Sequence, residues 1–409
     1  MTRVPSPTAL LRPLRSALFA LACAAPALAQ GAMEEFDAVD PHTEGDAALL
    51  ANLGYEAVGN FIWQGGEFTD YVKETMGGTD VLFVETKHFV IGSSLVTYRV
   101  PGDRQEKEKL EAEFEVFEER LGKKKWKAPK RDVDPWLRLH LYAQRSEALY
   151  TEFVEAFGLP DDGATENGPH LGHEQKFKLL VCERKSELGR YLRAYESGVN
   201  DFSFRSGSPK KGMFFGLNAE VLRQGFDDLA SEPVDSMLHN LVADGIVRNF
   251  VDGYDQELYS SPEWFTNALG FAAARRVDPR WVQTGAPRNN DDYWKWDERV
   301  KQLVKNDFYA ALGDMFQWRP RREWKERENM VAWSKGVFLL EEHEFDRPAF
   351  LRSMVTPMPG KPENSAEELD ERQRAVFAAH LDVLPEDFDE AWAKWVSKKK
   401  RGRKKKRRR

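Results

Sequence analysis

Apolar residues recur at helical spacing through the second half of the sequence, and this pattern constrains the fold more than any other feature. A residue buried at every third or fourth position marks the apolar stripe of an amphipathic helix. The pattern predicts helices over residues 233–250, 262–277, 294–312, 328–344, 365–382 and 386–397. No long heptad repeat accompanies it, which excludes a coiled coil.

The first half of the sequence mixes strand and helix patterns. Short apolar runs predict strands at residues 81–84, 88–91, 96–100, 177–182 and 213–217. Amphipathic patterns predict helices at residues 46–58, 105–122, 134–157 and 186–196. The order of these patterns predicts an α+β fold, in which a mixed β-sheet with helices is followed by a mostly helical C-terminal region.

A large core must hold this chain together. Of its 409 residues 41% are hydrophobic, and 12 Trp, 11 Tyr and 26 Phe are present, which excludes a disordered protein. Beyond the N-terminal segment, Cys182 is the sole cysteine, so no internal disulfide can form there. Because Cys182 ends an apolar run, it is predicted to be a small buried side chain rather than a nucleophile.

The N-terminal 29 residues have the three-part pattern of a secretory signal peptide. Three arginines and no acid precede an apolar stretch, and Ala27-Leu28-Ala29 forms a small-x-small cleavage site. Cleavage near Ala29 predicts export to the periplasm or beyond the cell. Cys23 leaves a lipoprotein as the alternative. No apolar run of membrane-spanning length follows, so the mature chain is predicted to have no transmembrane span.

Charge is segregated along the chain. The formal net charge is -7, although the last twelve residues, KKKRGRKKKRRR, contain 11 basic side chains. The body before this tail is therefore strongly acidic. Repulsion within the tail predicts disorder, and its charge could attract an anionic envelope polymer or surface in a salt-sensitive way. No aromatic residue lies in the tail, so specific nucleic-acid binding is not expected.

Two predicted helices carry the one chemical motif in the sequence. The helix over residues 234–250 places His239 and Ala243 on one face, because they are four residues apart. About twenty residues later the second helix begins with the segment 262–270, PEWFTNALG.

This arrangement resembles the gluzincin metallopeptidases, particularly the peptidase MA-like group of bacterial exported proteins of unknown function. In that group the first helix carries His-Glu-x-x-His, and the second, opened by Pro-x-Trp-Leu, carries Glu-Gly-Leu-Ala. The two histidines and the second glutamate bind zinc, and the first glutamate is the general base that activates a zinc-bound water. The resemblance implies a thermolysin-like peptidase core.

Aligned with that motif, the chain keeps one of four chemical positions. His239 matches the first zinc ligand, Asn240 stands in place of the general base, Ala243 replaces the second histidine and Asn267 replaces the glutamate ligand. A methyl group cannot bind zinc, and a carboxamide cannot accept a proton near neutral pH. The resemblance therefore implies a vestigial site without catalytic residues, metal or cofactor, in a pseudopeptidase with a binding or structural role.

The resemblance extends to residues 86–91, 332–340 and 384–388, which follow the same order as in that group. It divides the chain into a signal peptide (1–29), an N-terminal variable segment (30–80), one peptidase-like domain (81–397) and a disordered basic tail (398–409). Within the domain, residues 81–232 form the α/β part and residues 233–397 the helical part.

Two other functions remain open from the sequence. An active zinc-dependent hydrolase could use relocated ligands, His170, His173 and Glu174, although these lie in a Gly- and Pro-rich stretch typical of a loop. An envelope protein could bind polyanions through residues 398–409. Neither a Gly-x-Ser-x-Gly elbow nor a phosphate-binding Gly-rich loop is present.

Overall fold

The computed structural model describes residues 39–122, 126–196, 198, 202–225, 234–256, 260–280, 294–318, 324–342, 345–356 and 365–398. The predicted signal peptide (1–29) and residues 399–409 of the predicted basic tail lie outside this set. Within it, no helix combines the length and apolar character that a membrane crossing requires.

The first half of the chain forms helices of 4 to 23 residues and ten strands, as far as it is described. In chain order the elements are α1 (Ala47–Leu53), β1 (Tyr55–Val58), β2 (Ile62–Gln64), β3 (Glu67–Phe68), α2 (Thr69–Thr75), β4 (Leu82–Thr86), β5 (Phe89–Ser93), β6 (Tyr98–Arg99), α3 (Arg104–Leu121), β7 (Asp132–Val133), α4 (Pro135–Phe157), α5 (Pro169–Gly172), β8 (Phe177–Cys182), α6 (Lys185–Tyr191), β9 (Ser203–Ser208), β10 (Gly212–Asn218) and α7 (Ala219–Gly225).

The described part of the second half is helical. Its elements are α8 (Val234–Gly253), α9 (Glu263–Val277), α10 (Trp296–Lys305), α11 (Leu312–Phe316), α12 (Glu326–Glu342), α13 (Arg347–Val355), α14 (Ala366–Leu381) and α15 (Pro385–Lys398). Polar caps begin several helices. At α4, for example, the Asp134 carboxylate accepts a hydrogen bond from the Leu137 backbone, and Pro135 occupies the first turn.

A mixed six-stranded sheet forms the centre of the fold, in the order β1-β4-β5-β8-β10-β9. The two central pairings, β5 with β8 and β8 with β10, are parallel, and the outer pairings are antiparallel. Alternate side chains point to opposite faces of the sheet. Val84 and Ile91 pack under α4, and α8 covers β10 and β9 on the same face. Phe83, Leu180 and Cys182 belong to the layer with α2 and α6.

The predicted α+β class is confirmed, with a mixed sheet followed by a helical region. Cys182 is fully buried, as predicted. The single helix predicted over residues 46–58 is wrong in its second half. Gly54, with φ +85°, ends α1 in a left-handed turn, and the chain then enters β1. The segment 96–100 does not extend the main sheet, because β6 pairs with β7.

Helix α8 lies directly on the sheet at Gly245. A Cβ atom at this position would overlap the Phe215 ring of β10, so only glycine allows this approach. Gly189 in α6 is the matched opposite case, because its nearest neighbour would be the flexible end of Arg193 at 3.6 Å.

We therefore predict opposite effects of two glycine substitutions on the free energy of unfolding. Gly245→Ala should destabilise the protein by about 1–2 kcal/mol, because overpacking outweighs the helix propensity of alanine. Gly189→Ala should stabilise it by about 0.5–1 kcal/mol. Urea unfolding monitored by circular dichroism measures both. Equal shifts for the two variants would contradict the close contact between α8 and the sheet.

Candidate functional site

His239 faces an ion pair. Its Nδ1 lies 3.7 Å from Oε1 of Glu113 on α3, and Arg145 on α4 donates two hydrogen bonds of 2.8 Å to that carboxylate. The His239 residue is only 8% exposed. Burial, with the positive charges of Arg145 and Lys109, lowers the pKa of His239 well below its ordinary value. The imidazole is therefore neutral and lies beside a guanidinium that would repel a divalent cation.

Asp235, one turn before His239, joins two buried arginines. Nη2 of Arg138 donates to Oδ1 at 3.2 Å, and Nη1 of Arg145 donates to Oδ2 at 3.3 Å. Burial alone would raise the pKa of Asp235, but Arg145 and Arg138 lower it to about 2. Together with Glu113 these residues form the buried charge network, which links α3, α4 and α8.

The structure separates the other positions of the predicted vestigial site. Helices α8 and α9 pack side by side. Asn240 Nδ2 donates to the Asp278 carbonyl at 2.7 Å, just after the C-terminal end of α9. Asn267 lies eleven residues earlier, about 16 Å along the helix axis, and donates to Glu263 at 3.2 Å. His239 and Asn240 therefore lie at one end of the helix pair and Asn267 at the other.

The donors around His239 do not fit zinc. Ala243 is fully buried and offers only a methyl group, and the nearest carboxylate, Glu113, is already held by Arg145. Zinc requires three or four N, O or S ligands at about 2 Å. Across the described residues, no group of three or more His, Cys, Asp or Glu side chains is arranged to hold a metal ion.

The three relocated ligands considered from the sequence do not converge. His173 is buried and its Nε2 donates to the Gly253 carbonyl at 2.6 Å, whereas Glu174 is exposed. The His170 ring lies 5.8 Å from a different histidine, His88. Burial, followed by the nearby His88, lowers the pKa of His170 to about 4.

His88 belongs to a buried dyad that the sequence analysis did not single out. Its Nδ1 donates to Oε2 of Glu147 on α4 at 2.7 Å, and its ring stacks on Tyr150 with centroids 3.8 Å apart. The residues are 59 and 62 positions apart in the chain. The local pattern at His88 predicts only the first residue of the strand 88–91, so no signal in the sequence joins these side chains.

A groove of about 830 Å³ opens between α4, α9, α10, α12 and α13. Its volume suits a small organic ligand. Apolar side chains line most of it, namely Leu149, Phe153, Ala156, Phe157, Val247, Leu269, Ala272, Ala273, Pro279, Trp294, Trp333, Val337, Leu340 and Leu351. Charged groups of both signs surround this lining. On the rim, Arg276 and Glu152 form an exposed ion pair at 2.7 Å.

Arg275 brings a buried cation to the groove wall. It is 9% exposed, and its Cζ lies 4.3 Å from the Trp333 ring centroid and 4.7 Å from that of Trp296. Nη1 makes two long hydrogen bonds of 3.3 Å to carbonyl oxygens, and Nε has no hydrogen-bond partner among the described residues. Burial lowers its pKa to about 10, against the opposing effect of Asp297. Arg275 therefore retains capacity to bind an anion.

Comparison with known proteins gives no relative for this site, because no protein-family model, no curated protein and no solved structure matches the chain.

Loss of the Asp235 charge should destabilise the fold in a pH-dependent manner. Asp235→Asn leaves two buried guanidiniums with one carboxylate fewer. This should lower the free energy of unfolding by about 3–5 kcal/mol near pH 7. Because the folded-state pKa is lowered, the stabilisation by Asp235 is present above about pH 4 and lost as the pH falls toward 2. Urea unfolding of the wild type and the variant at several pH values should show the difference shrinking over this interval.

Asp46→Asn provides the matched control. Asp46 caps α1 at an exposed position, and asparagine caps a helix equally well. This variant should keep the wild-type stability at pH 7. A gap between Asp235→Asn and wild type that stays constant from pH 4 to pH 2 would contradict the role given to the Asp235 charge.

Proposed function

We propose that the protein is an exported, non-catalytic relative of the gluzincin peptidases that binds a small amphipathic carboxylate. Its apolar groove would take the body of the ligand, and Arg275 would bind the carboxylate. The observation that carries this proposal is the buried Arg275 guanidinium on the groove wall, which makes two long hydrogen bonds to carbonyl oxygens. Export rests on the N-terminal sequence.

The contacts of the aligned motif residues support a non-catalytic role. His239 lies beside Arg145 and Glu113, and Asn240 uses its amide to hold the end of α9. Neither residue can activate water, because the ring is buried next to a cation and the carboxamide is not a base. These side chains stabilise contacts between helices instead.

The burial of the Arg275 guanidinium favours a carboxylate as the head group of the ligand. A buried guanidinium pays a desolvation penalty that two long hydrogen bonds and two aromatic rings offset only in part. A carboxylate bound to the guanidinium from the groove would add a charge-assisted hydrogen bond. The acidic rim groups disfavour a ligand with several negative charges, so a single carboxylate on an apolar body fits best.

Ligand binding can be tested with dodecanoate and dodecanol, which differ only in the head group. Isothermal titration calorimetry on the full chain should show that dodecanoate binds about 10- to 100-fold more tightly, since a hydrogen bond to a charged group contributes about 1.5–3 kcal/mol. Arg275→Gln should remove this preference and keep the affinity for dodecanol. Arg276→Gln, on the exposed rim, should keep the preference.

The wild-type comparison alone can overturn the proposal, even if Arg275→Gln folds poorly. Equal affinities for the acid and the alcohol would refute a carboxylate site. Tighter binding of an extended apolar peptide that lacks a free carboxylate would instead identify a peptide groove. Binding of neither molecule would exclude the groove as the ligand site.

Catalysis is tested separately with a dye-labelled casein. The purified chain, incubated with excess Zn²⁺, should release no more dye than His239→Ala does under the same conditions. Metal content after dialysis should likewise be equal in the two proteins. Turnover that requires His239, together with one bound zinc per chain, would show that the protein is an active peptidase.

A further inference from the structure

Two neighbouring histidine rings each carry a buried nitrogen that has no hydrogen-bond partner among the described residues. These nitrogens are Nε2 of His88, between β4 and β5, and Nδ1 of His170, in α5. Leaving such an atom unpaired costs about 1–3 kcal/mol. The two ring centroids are 5.8 Å apart and the ring planes are inclined by 80°. The two unpaired nitrogens therefore destabilise the fold unless a ligand binds them.

Glu147 determines which nitrogen of His88 has a free lone pair. Its Oε2 accepts the hydrogen bond from Nδ1 at 2.7 Å, and its Oε1 accepts one from the His88 backbone at 3.0 Å. Because a carboxylate accepts, Nδ1 carries the proton and Nε2 presents its lone pair. Metal-binding histidines typically donate their second nitrogen to a carboxylate in this way. Tyr150 stacks on the ring and fixes its plane.

The loop around His170 is held rigidly. His170 has φ 46° and ψ 53°, a left-handed conformation that a non-glycine residue adopts at a cost in free energy. Two hydrogen bonds to the segment after α8 hold the loop, from Thr165 to Asp255 at 2.5 Å and from Gln256 to the Gly172 carbonyl at 2.7 Å. The surroundings therefore keep His170 near His88 despite the strain.

We propose that Nε2 of His88 and Nδ1 of His170 together bind one soft monovalent cation, Cu(I). Two metal–nitrogen bonds of about 2 Å each need nitrogens about 4 Å apart, and rings with centroids 5.8 Å apart can present that spacing. Cu(I) is a d¹⁰ ion that accepts two nitrogen ligands in a line. This site is separate from the groove and does not depend on its ligand.

The same geometry disfavours a divalent ion. Zn²⁺ takes four ligands and Cu²⁺ a tetragonal set of four or more. Neither nitrogen is accessible to solvent, so bulk water cannot complete such a set. The described part of the chain contains no third His, Cys, Asp or Glu side chain placed to join the pair.

Anaerobic titration of the full chain with Cu(I), in competition with a chromogenic chelator, tests the site. The wild type should bind one equivalent at this site, and Ag(I) should displace it as a redox-inert probe. His88→Gln and His170→Gln should each weaken binding by roughly 100-fold or more, and Glu147→Gln, which releases the His88 ring, by roughly 10- to 100-fold.

Two control variants should keep wild-type affinity. His173→Gln removes a neighbouring buried imidazole that already hydrogen-bonds Gly253, and Cys182→Ala removes the buried thiol, the softest described donor. Loss of Cu(I) binding in Cys182→Ala with normal binding in His88→Gln would overturn the proposal.

A measurement on the wild type keeps the test independent of variant folding. Long-range ¹H–¹⁵N spectra of the histidine side chains should show Ag(I)-dependent shifts of His88 Nε2 and His170 Nδ1, at one equivalent, with His173 unchanged. X-ray absorption spectroscopy of the Cu(I) form should show two nitrogen donors. Unshifted histidines at one equivalent, or a Zn²⁺ affinity equal to that for Cu(I), would refute the site and leave bound water as the partner of these nitrogens.

Discussion

The fold depends on Asp235 lying between two buried arginines. Arg138 and Arg145 are both buried on α4. The free energy lost when two guanidiniums are removed from water cannot be compensated by packing apolar side chains around them. The acids must come from neighbouring helices, so α3 contributes Glu113 and α8 contributes Asp235. This requirement fixes α8 against α3 and α4. The contact of Gly245 with Phe215 then fixes α8 on the sheet, and α9, which forms part of the groove, packs against α8.

The same network determines what the aligned zinc position can do. A gluzincin site needs two imidazoles and a carboxylate to share one cation, and a neighbouring guanidinium would raise the free energy of that state. Here the carboxylate nearest His239 is bound by Arg145 at two points. Replacing Ala243 by histidine would therefore leave the position unsuited to zinc, because Arg145 already binds both oxygens of the Glu113 carboxylate beside His239.

Local patterns in the sequence predicted most of the long helices and the central strands, because burial at every second or every third to fourth residue is a local property. The single helix predicted over residues 294–312 is wrong, since α10 ends at Lys305 and α11 begins at Leu312. The patterns predicted the buried strand β8 and the helices α8 and α9. They could not predict the alignment of those helices along each other, since the chain between them can change length at little cost. Nor could they bring His88 to Glu147, or Arg275 to Trp333, because tertiary packing joins residues 59 and 58 positions apart.

Helix α4 links the three sites in one element. Arg138 and Arg145 belong to the charge network, Glu147 orients His88, and Phe153 forms part of the groove lining. Buried polar groups at successive turns are costly unless each has a partner on a different neighbour. Satisfying them makes α4 rigid, and rigidity is what both an aligned pair of imidazoles and a preformed groove require. The buried polar residues of α4 thus fix the position of the helix. The histidine pair and the groove can therefore both form against it.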